Sequence, residues 1–179
     1  MSLLWMVNAM LRRMERSPLF TTELAGPCDA ARRAWKLPPG EAVDWRLGMV
    51  DRTADDVRRA LVGRERVYLL IVNTPSECVI GGQRAAVERL VRDLGCAFHA
   101  IEGVTTVHCE VASSVAADYR ALHLLPTTVP ADVRFYSGSW GRSYELSRES
   151  AADSIVAQAV APFDFTRAVE QAHADGVRV

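Results

Sequence analysis

The stretch "GVTTVHCEV", residues 103–111, sets His108 beside Cys109 at the end of a β-branched run. Three readings fit those residue types: a general base at His108, a nucleophile at Cys109, or a pair packed in a core. An imidazole takes and returns a proton near neutral pH, and His108 sits where a strand-like run meets a helix, a common place for active groups in α/β proteins. The plain alternative is a packed or surface histidine. Cys109 as nucleophile would need His108 to lower its pKa. Neighbours on a strand point to opposite faces, so the two are poorly placed to share a proton, and a buried thiol is the favoured reading.

Other reactive types are scattered. Asn73, at the tip of an apolar run, could brace a turn through its side chain or face a ligand. Gly81-Gly82 before a helix resembles a phosphate loop, but no GxGxxG or GK[ST] follows, and a tight turn into the helix is the simpler reading. "YSGSWG" (136–141) is rich in glycine and serine, lacks GxSxG, and reads as a loop. Cys28, Cys78, Cys96 and Cys109 show no CxxC spacing, and His99 and His123 offer no HxxxH pairing, so no metal site is expected. Reduced thiols and a cytoplasmic setting follow from that cysteine usage.

The elements that must position these residues emerge from periodicity. "WRLGMVD" reads as a strand, "TADDVRRALVG" as a helix with Thr53 as N-cap, and "RVYLLIVN" as a strand buried on both faces. Thr74-Pro75-Ser76 turns the chain into the strand "ECVIGG". "QRAAVERLVRDLG" is a helix closed by Gly95, and "AFHAIEG" is a further strand. The order across 44–103 is β-α-β-β-α-β, a ferredoxin-like unit. Before it, Leu4, Val7, Leu11 and Met14 fall at helical spacing, and "GPCDAARRAWKLPPG" reads as a short helix with Pro27 in its first turn. After it come a helix near 112–124, a loop at "PTTVP", a strand at "ADVRFYSG", and helices near 149–160 and 165–175.

Composition limits the partners. The 179 residues carry a formal net charge of −1, with 49% hydrophobic and 24% charged residues, and Lys36 is the only lysine. No global basic field is present to hold nucleic acid or an anionic membrane, and no apolar run reaches the ~20 residues that cross a bilayer. The last residues, "DGVRV", suggest a fragment of a longer chain.

The run from Val67 to Val111 resembles the acyltransferase domain of fatty acid and polyketide synthases. Asn73-Thr74-Pro75 matches that family's Asn-Ser-Pro-like turn, Val79-Ile80-Gly81-Gly82 its following strand, and His108-Cys109 its catalytic histidine followed by a small residue. Gln158, Ala161-Pro162-Phe163-Asp164-Phe165 and Gly176-Val177 keep the family's downstream order. "SPLF…GPCDAARRAW" is closer to the synthases of polyunsaturated fatty acids and related iterative polyketides. The resemblance covers about residues 4–179 and implies an α/β (α+β) fold. A ferredoxin-like small subdomain (44–103) would be flanked by remnants of an α/β-hydrolase-like acyltransferase subdomain (1–43 and 104–179).

It also implies a ping-pong transfer. A serine in GxSxG takes an acyl group from acyl-CoA and passes it to the phosphopantetheine thiol of an acyl carrier protein, with His108 as general base and no covalently bound cofactor. Asn73 and Gln158 become candidate substrate-binding residues, Arg12, Arg13 and Arg16 candidates to bind a carboxylate, and synthase domains such as a ketosynthase the neighbours. The sequence departs from the family where it matters: it contains no GxSxG, and the isolated fragment is expected to be inactive. "VTT" before His108 does not match the common malonyl or methylmalonyl selectivity motifs. A freestanding ferredoxin-like ligand-binding or regulatory module is the alternative, and a Cys109-dependent enzyme a third.

Overall fold

The structure, a computed structural model, describes residues 13–103 and 105–178. A π-helical turn at Leu19–Glu23 leads to the short helix α1 (Asp29–Ala34). Then follow β1 (Trp45–Val50), α2 (Ala54–Leu61), β2 (Val67–Thr74), β3 (Glu77–Gln83), α3 (Arg84–Leu94) and β4 (Phe98–Ala100). A 3-10 turn at Glu110–Val115 runs into α4 (Ala116–His123). The hairpin β5 (Phe135–Ser137) and β6 (Arg142–Tyr144), α5 (Arg148–Val160), β7 (Phe163–Asp164) and α6 (Phe165–Ala174) complete the order.

Local signals set the helix ends. The Thr53 hydroxyl accepts from the Asp56 amide at 3.2 Å. Asp55 and Asp56 put negative charge at the positive end of α2. Gly95 closes α3 in the left-handed conformation, at φ 57°, as helix-ending glycines commonly do. Ser147 and Ser150 cap α5 reciprocally.

The strands hydrogen-bond in the order β4-β1-β3-β2-β7. Neighbours among the first four are antiparallel, so each helix-linked pair runs parallel with one strand between its members. That is the split βαβ arrangement read from residues 44–103. β7 adds in parallel to β2, with Ile71 opposite Phe163 and Val72 opposite Asp164, and makes the sheet mixed.

Both faces of the sheet are covered. Val57 of α2 and Ala86, Val87 and Leu90 of α3 pack on Val50, Leu69, Val72, Cys78 and Ile80. On the other face Leu19, Leu24, Ala30, Ala31, Val111 and Val115 cover Leu47, Leu70 and Val79. The β2–β3 register shifts between Leu69 and Ile71, and this bulge sends Leu70 and Ile71 to the same face.

Several expectations need correction. No strand forms in 105–109: the Thr106 amide and hydroxyl both donate to the Leu24 carbonyl, at 2.8 and 3.2 Å, and the His108 amide goes to Ala159. With their donors satisfied by a loop and a helix end, these β-branched residues have no ladder to join. The "AFHAIEG" strand shortens to three residues. "ADVRFYSG" pairs only at Phe135–Ser137, against β6, a strand that periodicity does not disclose, and "YSGSWG" makes the turn between them. The helix near 112–124 begins as a 3-10 turn, β7 is a further addition, and Pro27 precedes the Cys28 N-cap of α1. Of the first amphipathic helix, Leu4, Val7 and Leu11 lie outside the described residues. Among the described residues no helix is long and apolar enough to cross a membrane.

Gly82 is no phosphate loop. It lies within β3, one residue before its end, at φ 148°, where an added Cβ would collide with the Arg66 carbonyl oxygen, whereas nothing lies near a Cβ at Gly95. Gly95→Ala should therefore lose about 1 kcal/mol in urea unfolding, the cost of a left-handed conformation alone. Gly82→Ala should lose roughly 2–3 kcal/mol, because backbone must also move. Equal losses would refute the close approach to Arg66.

Candidate active site

His108 is held by the end of a helix. The last carbonyl oxygens of an α-helix lack partners within it. In α5 two of these accept from one residue: Ala159 O from the His108 amide at 2.7 Å, and Gln158 O from the ring Nδ1 at 2.6 Å. A carbonyl only accepts, so Nδ1 carries the hydrogen and Nε2 keeps the lone pair. The Phe163 ring meets the imidazole edge-on, centroids 5.0 Å apart, a favoured aromatic geometry. His108 itself sits at φ 66°. Few non-glycine residues adopt that conformation; Cys28, Lys36, Arg66 and Asp132 share it in this chain.

Burial sets the charge state. The half-buried ring is pushed below the ordinary histidine value of 6.5 by desolvation, and the bond to Gln158 O opposes that shift without reversing it. At pH 7 the imidazole is neutral, with a free Nε2 lone pair. It lines a cavity of about 340 Å³ walled by Leu47, Leu70, Ile71, Val79, Ile101 and Val107. Cys109 lies outside this arrangement. Its thiol is buried and pushed up to about 12 by desolvation, which leaves it protonated and unreactive at neutral pH.

The remaining candidates stand apart from the ring. Asn73 Nδ2 donates to Glu77 Oε1 at 3.0 Å across the β2–β3 hairpin, and Asn73 does not line the cavity. Gln158 meets His108 through its main chain, while its side chain lines a separate groove of about 400 Å³ with Tyr136, Phe163 and Phe165. Arg13 donates to the Ala121 carbonyl at 3.2 Å, Arg16 is exposed, and Arg12 lies outside the described residues.

No protein-family model matches the sequence, and no curated protein matches it. Solved structures are similar. The acyltransferase domain from the second module of the salinomycin polyketide synthase is 20% identical, with a TM-score of 0.61 over 83% of this chain and 35% of that one. An acyl carrier protein S-malonyltransferase from Vibrio cholerae is 22% identical, with a TM-score of 0.61 over 83% of this chain and 49% of the other. The acyltransferase domain of the polyketide synthase PpsC of Mycobacterium tuberculosis is 18% identical, with a TM-score of 0.60 over 74% and 42%. The fold is that of acyltransferase domains. The chain spans between 35% and 49% of the length of these three structures.

Within this acyltransferase fold, the contact of Phe163 with the imidazole and the hold of the Ala159 carbonyl are not legible in the sequence. Pro162 ahead of Phe163 is the available signal, since it ends the helix and frees the next residues to pair. The main-chain partners of His108 have no signature in side-chain identity.

The depressed pKa carries a stability consequence. The unfolded chain takes up the proton first, so the His108 contribution is complete above about pH 6.5 and is lost as pH falls through that value toward the lower folded one. Urea unfolding at pH 7.5 and pH 5.5 should show a smaller acid-side loss in His108→Gln than in the unaltered chain. Nitrogen NMR of the ring should give an Nδ1–H tautomer at pH 7. An Nε2–H tautomer would overturn the hydrogen-bond assignment.

Proposed function

We propose that this chain carries the general base of an acyl transfer from coenzyme A to the phosphopantetheine thiol of an acyl carrier protein, within a multidomain polyketide or fatty acid synthase. The observation that carries the reading is the neutral, Nδ1-anchored His108 on an acyltransferase fold, lining a cavity, with no hydrogen-bond partner at Nε2 among the described residues. On this reading the nucleophile is a serine from outside the 179 residues, because no GxSxG occurs within them. Nε2 removes the serine proton as the hydroxyl oxygen attacks the thioester carbonyl. The C–S bond breaks, the coenzyme A sulfur takes the proton from the imidazolium, and the acyl group rests on serine. The carrier thiol then gives its proton to Nε2 and attacks the serine ester, and the serine oxygen leaves with that proton.

The Gln158 carbonyl plays the part that a carboxylate plays in a triad: it fixes the tautomer and the ring plane. Gln158 is thus a positioning residue acting through its main chain, and Asn73 braces the hairpin behind the cavity. Residues 44–103 form the small subdomain, 1–43 and 104–179 belong to the large one, and a ketosynthase is the expected kind of neighbour. A freestanding 44–103 module is disfavoured by packing, since Leu47, Leu70 and Val79 would lose the cover supplied by Leu24, Val111 and Val115.

In a synthase carrying this chain, His108→Ala should lower acyl transfer by about 10²–10⁴-fold, the usual worth of a positioned base. Cys109→Ala should leave the rate within a few-fold. The 179-residue chain incubated alone with radiolabelled acyl-CoA should acquire no stable label. Normal transfer by His108→Ala would refute the base, and stable label on this chain would refute an external nucleophile.

A further inference from the structure

Three polar side chains are buried among the described residues, Thr106, Ser137 and Ser154, and two of them bond to each other. The Ser154 hydroxyl donates to Ser137 Oγ at 2.7 Å, joining the middle of α5 to the last residue of β5. Among the described residues no other hydrogen bond links two buried side chains. The turn after β5 holds Ser137 in place. Ser137 Oγ accepts from the Trp140 amide at 3.3 Å, and the Ser137 carbonyl accepts from the Gly141 amide at 2.8 Å. The neighbouring Tyr136 hydroxyl donates to Asp175 Oδ2 at 2.9 Å, which fastens β5 to the end of α6.

This bond falls where α5 has little else to fix it along its axis. The buried side chains of the helix are Ala152, Ser154 and Ala159, all small. Such a face is smooth, without the ridges that lock a helix against its neighbours at one axial position. The capping serines sit at the far end, and Arg120–Asp153 is an exposed ion pair, a weak constraint. Ser154 lies one turn before Gln158, so the two project from nearly the same face, about 6 Å apart along the axis. The end of β5 meets both. A Cβ added at Gly138, next to Ser137, would stand 3.1 Å from the Phe163 ring and 3.6 Å from Gln158 Nε2. Carbonyls of a last turn point along the helix axis, so axial slip acts directly on their bonds. A slip of about 1 Å would carry Gln158 O and Ala159 O out of good hydrogen-bond range of His108. We propose that Ser154 is a positioning residue for His108: its bond to Ser137 sets the axial position of α5, and with it the two carbonyls that hold the imidazole. The inference rests on His108 being the acyl-transfer base, since that is what gives the ring's orientation a function.

The test compares the His108 ring in the 179-residue chain and its variants by nitrogen NMR at pH 7. The tautomer reports on the clamp, because the partner of one ring nitrogen decides which nitrogen carries the hydrogen. Ser154→Ala and Ser137→Ala should each give a mixture of Nδ1–H and Nε2–H forms, with Nδ1–H exchanging with water about tenfold faster or more. The double variant should match either single one, since all three lack the same bond. Ser150→Ala weakens the opposite end of the same helix and should leave the ring in its Nδ1–H form. In a synthase carrying this chain, Ser154→Ala should lower kcat about tenfold and keep KM for acyl-CoA within about twofold. An unchanged tautomer in Ser154→Ala would overturn the inference, and so would an equal change in Ser150→Ala. Neither result would touch the base assignment, which stands or falls on the transfer rates of His108→Ala. If His108→Ala transfers normally while Ser154→Ala still mixes the tautomers, the base fails and the positioning of the ring stands.

Discussion

The site depends on a helix end used as a clamp. Gln158 O and Ala159 O belong to the last turn of α5, whose carbonyls have no partners inside the helix, and both are taken up by His108. One contact fixes the backbone and the other fixes the ring, so the imidazole has little freedom to turn. The same contact is electrostatic. A helix C-terminus carries partial negative charge, which favours an imidazolium over a neutral ring. Burial works the other way and prevails in the resting state, where the pKa lies below 6.5. A base needs both: neutral before it acts, and supported once it holds a proton.

The left-handed backbone at His108 is the cost of that arrangement. A histidine at φ 66° is an uncommon sight. It is held there only if its surroundings over-determine it, and three contacts do so: the two carbonyls and the edge of Phe163. Phe163 is itself placed by β7, which exists only because β2 offers a free edge next to Ile71. The chain of dependence runs from the central strand to its parallel neighbour, then to the aromatic ring, then to the imidazole. The β2 bulge adds to it by turning Leu70 and Ile71 to the face that forms the cavity wall.

Where a local rule decides the structure, the sequence discloses it. Thr53 and Gly95 end helices for reasons contained within a few residues of each. The apolar run of β2 discloses burial on both faces, and the order of elements across 44–103 leads to the observed strand order. Residues 105–109 defeat that kind of reading because their backbone partners, Leu24 and Ala159, lie far away in sequence. Composition there favours a strand, and only tertiary contacts overrule it. Gln158 stands out through the family resemblance, but as a side chain. Its carbonyl does the holding, and a carbonyl is invisible to residue identity.

The apolar cavity and the neutral imidazole are also linked. The apolar walls beside the ring replace part of its hydration. Desolvation disfavours the imidazolium and leaves Nε2 unprotonated. A carboxylate in the same space would act in reverse, because a negative charge close to the ring favours its protonated form.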